Sequence, residues 1–337
     1  MAPASAAIDL DELARLARAP LAEAVSPLDG KPYLLLSLST PAGDYGVAPE
    51  SMARWLRRQP CPVIGIADDA APASLQRACD LIVQDVRQAE PVLDGVERSP
   101  LASTVLVQVL RATEHLAPEQ ALVVESLAYA TLQGGPEFRR WLARRPPPHS
   151  PQTRRGAPPV IVERNGGTLD IRLNRPERRN ALSVEMRDAL CEALELVVAD
   201  VSIESARLSG NGPCFSSGGD LDEFGTTPDP ATAHAVRSLR LPAATLLQCA
   251  GRVDFRVHGA CIGAGAELPA FGASVSATHD AYFQLPEIRF GLIPGAGGCV
   301  SIPRRIGRQR TAYMALSGER VDASTALAWG LVDAIVD

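Results

Sequence analysis

The sequence predicts an α/β protein in two parts, and three observations carry that prediction. Short apolar runs of strand character alternate with stretches of helical spacing, the rhythm of strands joined by helices. The stretch ARRPPPHSPQTRRGAPP, residues 143–159, can continue neither a helix nor a central strand, so it reads as a linker between domains. Beyond the linker, a strand-turn-helix rhythm runs through two glycine-rich turns, which implies a mostly parallel sheet. A chain of 337 residues fits two domains, and it can bury a sizeable core without disulfides or metals.

Composition narrows the function classes. Apolar residues make up 46% of the chain and charged residues 21%, which is ordinary for a globular protein. The net charge of −6 gives no reason to expect nucleic acid or an anionic membrane as partner. No apolar run reaches the length of a membrane span, and the N-terminal stretch lacks the apolar middle of a secretory signal. The seven cysteines are scattered with no CxxC pair, so neither a metal site nor a disulfide framework is expected, and a reducing, cytoplasmic setting is.

In the first part, strands are expected at 33–39, 62–67 and 81–83, with a helix at 49–58 that puts Met52, Trp55 and Leu56 on one face. Long helical patterns follow at 101–116, 118–132 and 136–144. Val105, Val109, Ala112 and Leu116 fall on one face of the first. In the second part, 160–164 and 168–173 flank Asn165-Gly166-Gly167, a strong hairpin signal. A helix is expected over 183–198, where Ser183 supplies half of a capping box and Glu185 sits in the first turn. Strands at 206–209 and 253–257 lead into the glycine-rich turns.

Those turns, GNGPCFSSGGDL (210–221) and HGACIGAGAEL (258–268), each follow a strand and precede a helix. Such turns expose backbone N–H groups, and two aimed at one point can hold an oxyanion. Taken singly, either could be an ordinary tight turn. Two acids add weight. Glu267 lies in the strongly apolar IGAGAELPAFGASV, where a carboxylate is costly to bury without a partner or a task, and Glu287 follows in QLPEIRFGLIPGAGG (284–298). Two such groups can divide general acid and general base work between them, although most glutamates are simply solvated.

The second part resembles the crotonase, or enoyl-CoA hydratase/isomerase, superfamily. The matching stretches are NRPERRNALS (174–183), GPCFSSGGDLDEF (212–224), HGACIGAGAELPAFG (258–272), FQLPEIRFGLIPGAGG (283–298) and SGERVDASTALAWGLVDAIVD (317–337). They occur in the family's order and cover nearly all of 160–337. The resemblance implies a ββα spiral in that part. It implies Gly219 and Ala264 as the two oxyanion donors and Glu267 and Glu287 as the catalytic pair. It also implies contacts to coenzyme A or substrate from Asn180, Ala181, Leu182, Ser217, Gly218, Asp220 and Gly263. No permanently bound cofactor or metal is implied; coenzyme A comes as part of an acyl-CoA thioester. The first part reads as a degenerate crotonase-like domain, 1–142, with RRQPCPVIGIAD (57–68) and RACDLIVQD (77–85) as echoes. Between them, DAAPASLQ (69–76) is too short for an oxyanion turn.

The activity expected is therefore that of a lyase, an enoyl-CoA hydratase of fatty-acid metabolism. The same enolate chemistry with one acid gives an isomerase, hydrolase or decarboxylase. Ala264 stands where the family has a glycine, tolerable at negative φ; two further departures, Pro269 and the missing Asp at Gly272-Ala273, motivate a third reading as a non-catalytic assembly partner. Residues 98–145 resemble the helices that in the family follow the core. They are expected to fold onto the second part or onto a neighbouring subunit, in a trimer or hexamer.

Overall fold

The computed structural model describes residues 7–18, 26–38, 45–67, 71–146 and 157–337. Most of the linker, and the start of the 69–76 segment, lie outside these residues. The first part opens with α1 (Leu10–Arg18), β1 (Leu34–Ser37), α2 (Pro49–Arg57), β2 (Val63–Ile66), α3 (Ala73–Ala78) and β3 (Leu81–Val83). The three strands form a parallel sheet in the order β1-β2-β3. Side chains alternate between its faces, as the pleat demands. Leu34, Leu36 and Val63 pack against α1 and α2, whereas Leu35, Ile64 and Val83 enter the main core.

Four helices follow: α4 (Val86–Arg98), α5 (Pro100–Thr113), α6 (Pro118–Gln133) and α7 (Pro136–Arg144). Three begin with proline, whose missing N–H is no loss in a first turn. Helix α4 was not expected; Pro91 in its interior hides the periodicity. On α5 the buried face is Ala102, Leu106, Val109, Leu110 and Thr113, with Val105 half-buried and Ala112 exposed. The face read from the sequence is thus rotated, because α5 is covered on two sides, by α4 and α6 and by the second part.

The second part contains β4 (Val160–Asn165), β5 (Thr168–Leu173), α8 (Val184–Ala199), β6 (Ser205–Gly210), α9 (Pro230–Leu239), α10 (Pro242–Cys249), β7 (Val253–Val257), β8 (Ala260–Ile262), α11 (Ala264–Glu267), β9 (Ser274–Thr278), β10 (Tyr282–Gln284), α12 (Gly298–Ile306), α13 (Arg308–Ser317), β11 (Val321–Asp322), α14 (Ala323–Trp329) and β12 (Ala334–Val336). The larger sheet has the order β12-β9-β7-β6-β5-β4 and is parallel except for the β4–β5 hairpin. A small sheet, β11-β10-β8, stands beside the site. Helix α8 begins where Ser183 accepts the Met186 N–H at 3.2 Å.

The linker is not a packing boundary. One hydrophobic cluster runs from the inner face of the small parallel sheet through α4–α7 and across the second part. Helices α5 and α6 pack on α12, α6 on α9, and α7 on the 3-10 turn Glu287–Phe290. Of the two docking modes expected for 98–145, the one within the chain is observed. Buried Asp80 ties the parallel sheet to α13: it accepts from Arg111 of α5 and, at 3.0 Å, from Arg308. On α7, Phe138 stacks on Trp141 at 5.8 Å, and Trp141 packs against Phe224 and Phe290. If this docking holds the upstream helices to the core, Phe138→Ala lowers folding stability by about 3 kcal/mol or more in urea melts of the full chain. A loss below about 1 kcal/mol contradicts it.

Candidate active site

The two glycine-rich turns are laced together by backbone. Phe215 and Ser216 donate to the carbonyls of His258 and Ala260, and Ile262 donates back to Ser216, at 2.8–3.1 Å. Leu182 donates to the Gly218 carbonyl at 2.7 Å. The close approach requires glycine at two points. A Cβ on Gly218 would lie 2.7 Å from the Ile262 carbonyl oxygen, and one on Gly263 would lie 2.7 Å from Glu287 Oε1; both residues have positive φ. Gly219 and Ala264 follow these glycines. Among the described residues neither N–H has a hydrogen-bond acceptor, and both residues line a cleft of about 210 Å³. Ala264 is not among the residues with positive φ, so its methyl group carries no backbone strain.

Glu267 ends the single helical turn α11. Pro269 lies beyond it and opens the 3-10 turn Pro269–Phe271, so the expected helix is one turn long and Pro269 does not distort it. The Glu267 carbonyl finds its donor elsewhere, in the Ser301 hydroxyl at 2.7 Å. Its carboxylate is 2% exposed, and Oε2 accepts from the Ala296 and Gly298 N–H groups at 2.7 and 2.8 Å. Burial pushes its pKa up to about 7, against the pull of those N–H groups and of Arg237. Glu287 is 9% exposed, and its Oε2 has no partner among the described residues. Burial, then the Glu267 charge, raise its pKa well above the usual range. The two environments differ: Glu267 Oε2 is held by two N–H donors, whereas Glu287 Oε2 has none among the described residues.

The remaining expected residues divide. Leu182, Gly219, Asp220, Ala264, Glu267 and Glu287 line the cleft together. Ala181, Ser217, Gly218 and Gly263 are not among the residues that line it. Asp220 pairs with Arg178 through both oxygens at 3.1 Å. Asn180 lies outside the cleft lining. Its side chain is 0% exposed; Oδ1 accepts from the Arg175 N–H at 2.8 Å, and Nδ2 donates to the carbonyls of Asn211, Cys214 and Phe215. It pins two loops and has no polar atom left for a ligand. Its φ of 52°, tolerable for asparagine, makes that reach possible.

Residues outside the expected set complete the cleft. Tyr129 and Gln133 come from α6, upstream of the linker, and Arg237 and Arg240 from α9 and its end. The Arg237 guanidinium lies 3.8 Å from the centre of the Tyr129 ring. A third buried carboxylate, Glu125 of α6, accepts from the Gly297 and Cys299 N–H groups at 2.8 Å each. The signal for it was available: an acid inside ALVVESLAYATL poses the same burial problem as Glu267.

The chain belongs to the enoyl-CoA hydratase/isomerase family, whose model matches residues 163–337, and with it to the crotonase superfamily. It is 37% identical over 176 residues to the 2,3-dehydroadipyl-CoA hydratase of Escherichia coli, covering 51% of this chain and 67% of that one. It is 35% identical over 175 residues to the 1,2-epoxyphenylacetyl-CoA isomerase of the same organism, covering 51% and 67%. A solved enoyl-CoA hydratase of Mycobacterium smegmatis aligns at 32% identity with a TM-score of 0.49, over 53% of this chain and 70% of its own. The match therefore spans about two thirds of each relative.

The raised carboxyl pKa values have a consequence for stability. Between 4.5 and about 7 the native state keeps a proton on Glu267 that the unfolded chain has released. Native binding exceeds unfolded binding, so this contribution to stability falls as pH rises through that window. Glu287 acts in the same direction. The urea midpoint is expected to be higher near pH 5 than at about pH 7.5, and the difference is expected to shrink in Glu287→Gln. A midpoint that rises through the window contradicts the assignment.

Proposed function

We propose that this chain hydrates an enoyl-CoA thioester. The observation that carries the reading is the meeting, in one cleft, of two N–H groups without protein acceptors and two buried carboxyls of unlike environment. The thioester carbonyl accepts from the Gly219 and Ala264 N–H groups, which stabilises the enolate formed when the conjugated double bond is attacked. Glu267, whose charged form is supported by two N–H donors, takes a proton from water as the water oxygen bonds the β-carbon. Glu287, kept protonated by burial and by like charge, gives its proton to the α-carbon. Water is added across the double bond, and the pair is left with its protons exchanged. A proton returned between the carboxyls or through solvent resets the site.

An isomerase reading is supported by the likeness to the 1,2-epoxyphenylacetyl-CoA isomerase over much the same stretch. It uses the same two donors and one carboxyl. The two readings separate by product. With a 2-enoyl-CoA, the hydratase gives the 3-hydroxyacyl thioester; with a 3-enoyl-CoA, an isomerase gives the conjugated thioester. If hydration is the activity, Glu267→Gln and Glu287→Gln each lower kcat by at least about a hundredfold and leave thioester binding by calorimetry nearly unchanged. Unchanged turnover in either variant removes that residue from the mechanism. Loss in Glu287→Gln alone favours the single-acid isomerase.

A further inference from the structure

Four successive residues at the head of α12, 296–299, carry their N–H groups to two acids in strict alternation. Ala296 and Gly298 donate to Glu267; Gly297 and Cys299 donate to Glu125. The two acids come from opposite sides of the linker, α11 and α6. Glu125 is 1% exposed, and each of its oxygens accepts one N–H at 2.8 Å. One turn further along α6, the Tyr129 ring lies against the same stretch: a Cβ on Gly295 would sit 2.2 Å from it. The stretch is thus clamped between α6 on one side and Glu267 on the other.

We propose that Glu125 is a positioning residue for Glu267, holding the intervening N–H groups of the backbone that holds Glu267, so that the two carboxyls are placed as a pair. This role rests on the reading of Glu267 as the base. A carboxylate suits both N–H groups at once. A glutamine would turn its own N–H₂ toward one of them, and that part of the stretch would have to move. Because Glu267 Oε2 is held by that same stretch, its placement moves with it. A small misplacement of a reacting group costs up to about a hundredfold in rate.

The charges around the pair define how it titrates. Glu267 and Cys299 face Glu125 from the α11 and α12 side, and Glu287 lies behind Glu267. Arg237 faces it from α9, where His234 bonds Ser126, and Tyr129 faces it from α6 itself. Burial raises Glu125 to about 8, the Glu267 charge adds to this, and the two N–H groups and Arg237 oppose it. The Glu267 charge raises Glu125, so removing that charge lowers the pKa of Glu125.

The test uses the full chain, labelled with ¹³C at its glutamate carboxyls and titrated by NMR, which needs no turnover. In Glu125→Gln, where the stretch that donates to Glu267 must move, the Glu267 carboxylate loses N–H support and its midpoint is expected to rise above about 7. In Glu267→Gln, the Glu125 midpoint is expected to fall from about 8. The second variant carries the test if the first does not fold. An unmoved midpoint in either folded variant overturns the pairing. In the hydration assay, Glu125→Gln is expected to lower kcat about tenfold to a hundredfold with KM within about twofold. Unchanged kcat overturns the positioning role. A wild type that titrates as described but hydrates nothing overturns the proposed function and leaves the pairing standing.

Discussion

The constraint on which this structure turns is the burial of three carboxyl groups, Glu125, Glu267 and Glu287, around one short stretch of backbone. Burying a carboxylate without donors costs several kcal/mol, so the chain must bring N–H groups to it or keep it protonated. Both solutions are used. The Ala296-Gly297-Gly298-Cys299 stretch turns its N–H groups outward to two of the acids, and the third is left with an oxygen that no group among the described residues satisfies. Much of the surrounding architecture serves that arrangement. Ser301 relieves the carbonyl at the end of α11, Tyr129 covers Gly295, and the turns at 210–219 and 258–265 close over Glu287 through Gly263.

The same constraint joins the two parts of the chain. The helices α5 to α7 precede the linker, yet they cover α12, and α6 delivers a carboxylate to its first turn. Two observations make this docking specific. Asp80 is buried against Arg111 and Arg308, which fixes the parallel sheet to α13, and the Phe138, Trp141, Phe224 and Phe290 rings interlock α7 with the turn that bears Glu287. Breaking a buried ionic contact by removing one partner costs about 3–5 kcal/mol, which is large against the stability of a domain. The upstream segment is therefore part of the core around the cleft, whatever the ancestry of its first sheet.

Much of this was legible in the sequence. The hairpin around Gly166, the strand at 253–257 and the helices from Pro118 and Pro136 follow from local signals, because turn chemistry and proline placement act within a few residues. Glu267 and Glu287 stood out because each is an acid in an apolar setting. Glu125 carries the same signal within ALVVESLAYATL, but its partners lie 172 and 174 positions away and no local pattern announces them. Asn180 is the converse case. The residue was noticed, but its work is to bridge three carbonyls of another loop, and only its left-handed backbone brings it there. On α5 the expected face was rotated, because a helix covered on two sides has no single apolar stripe.

The central claim is that a thioester carbonyl is held at the meeting point of the two glycine-rich turns, between Glu267 and Glu287. A crystal structure of the full chain with an unreactive acyl-CoA analogue tests it most directly. The account predicts the carbonyl oxygen at about 2.7–3.1 Å from both the Gly219 and Ala264 nitrogens, with the two carboxyls flanking the α- and β-carbons. A thioester bound elsewhere, or one whose carbonyl meets neither nitrogen, contradicts it.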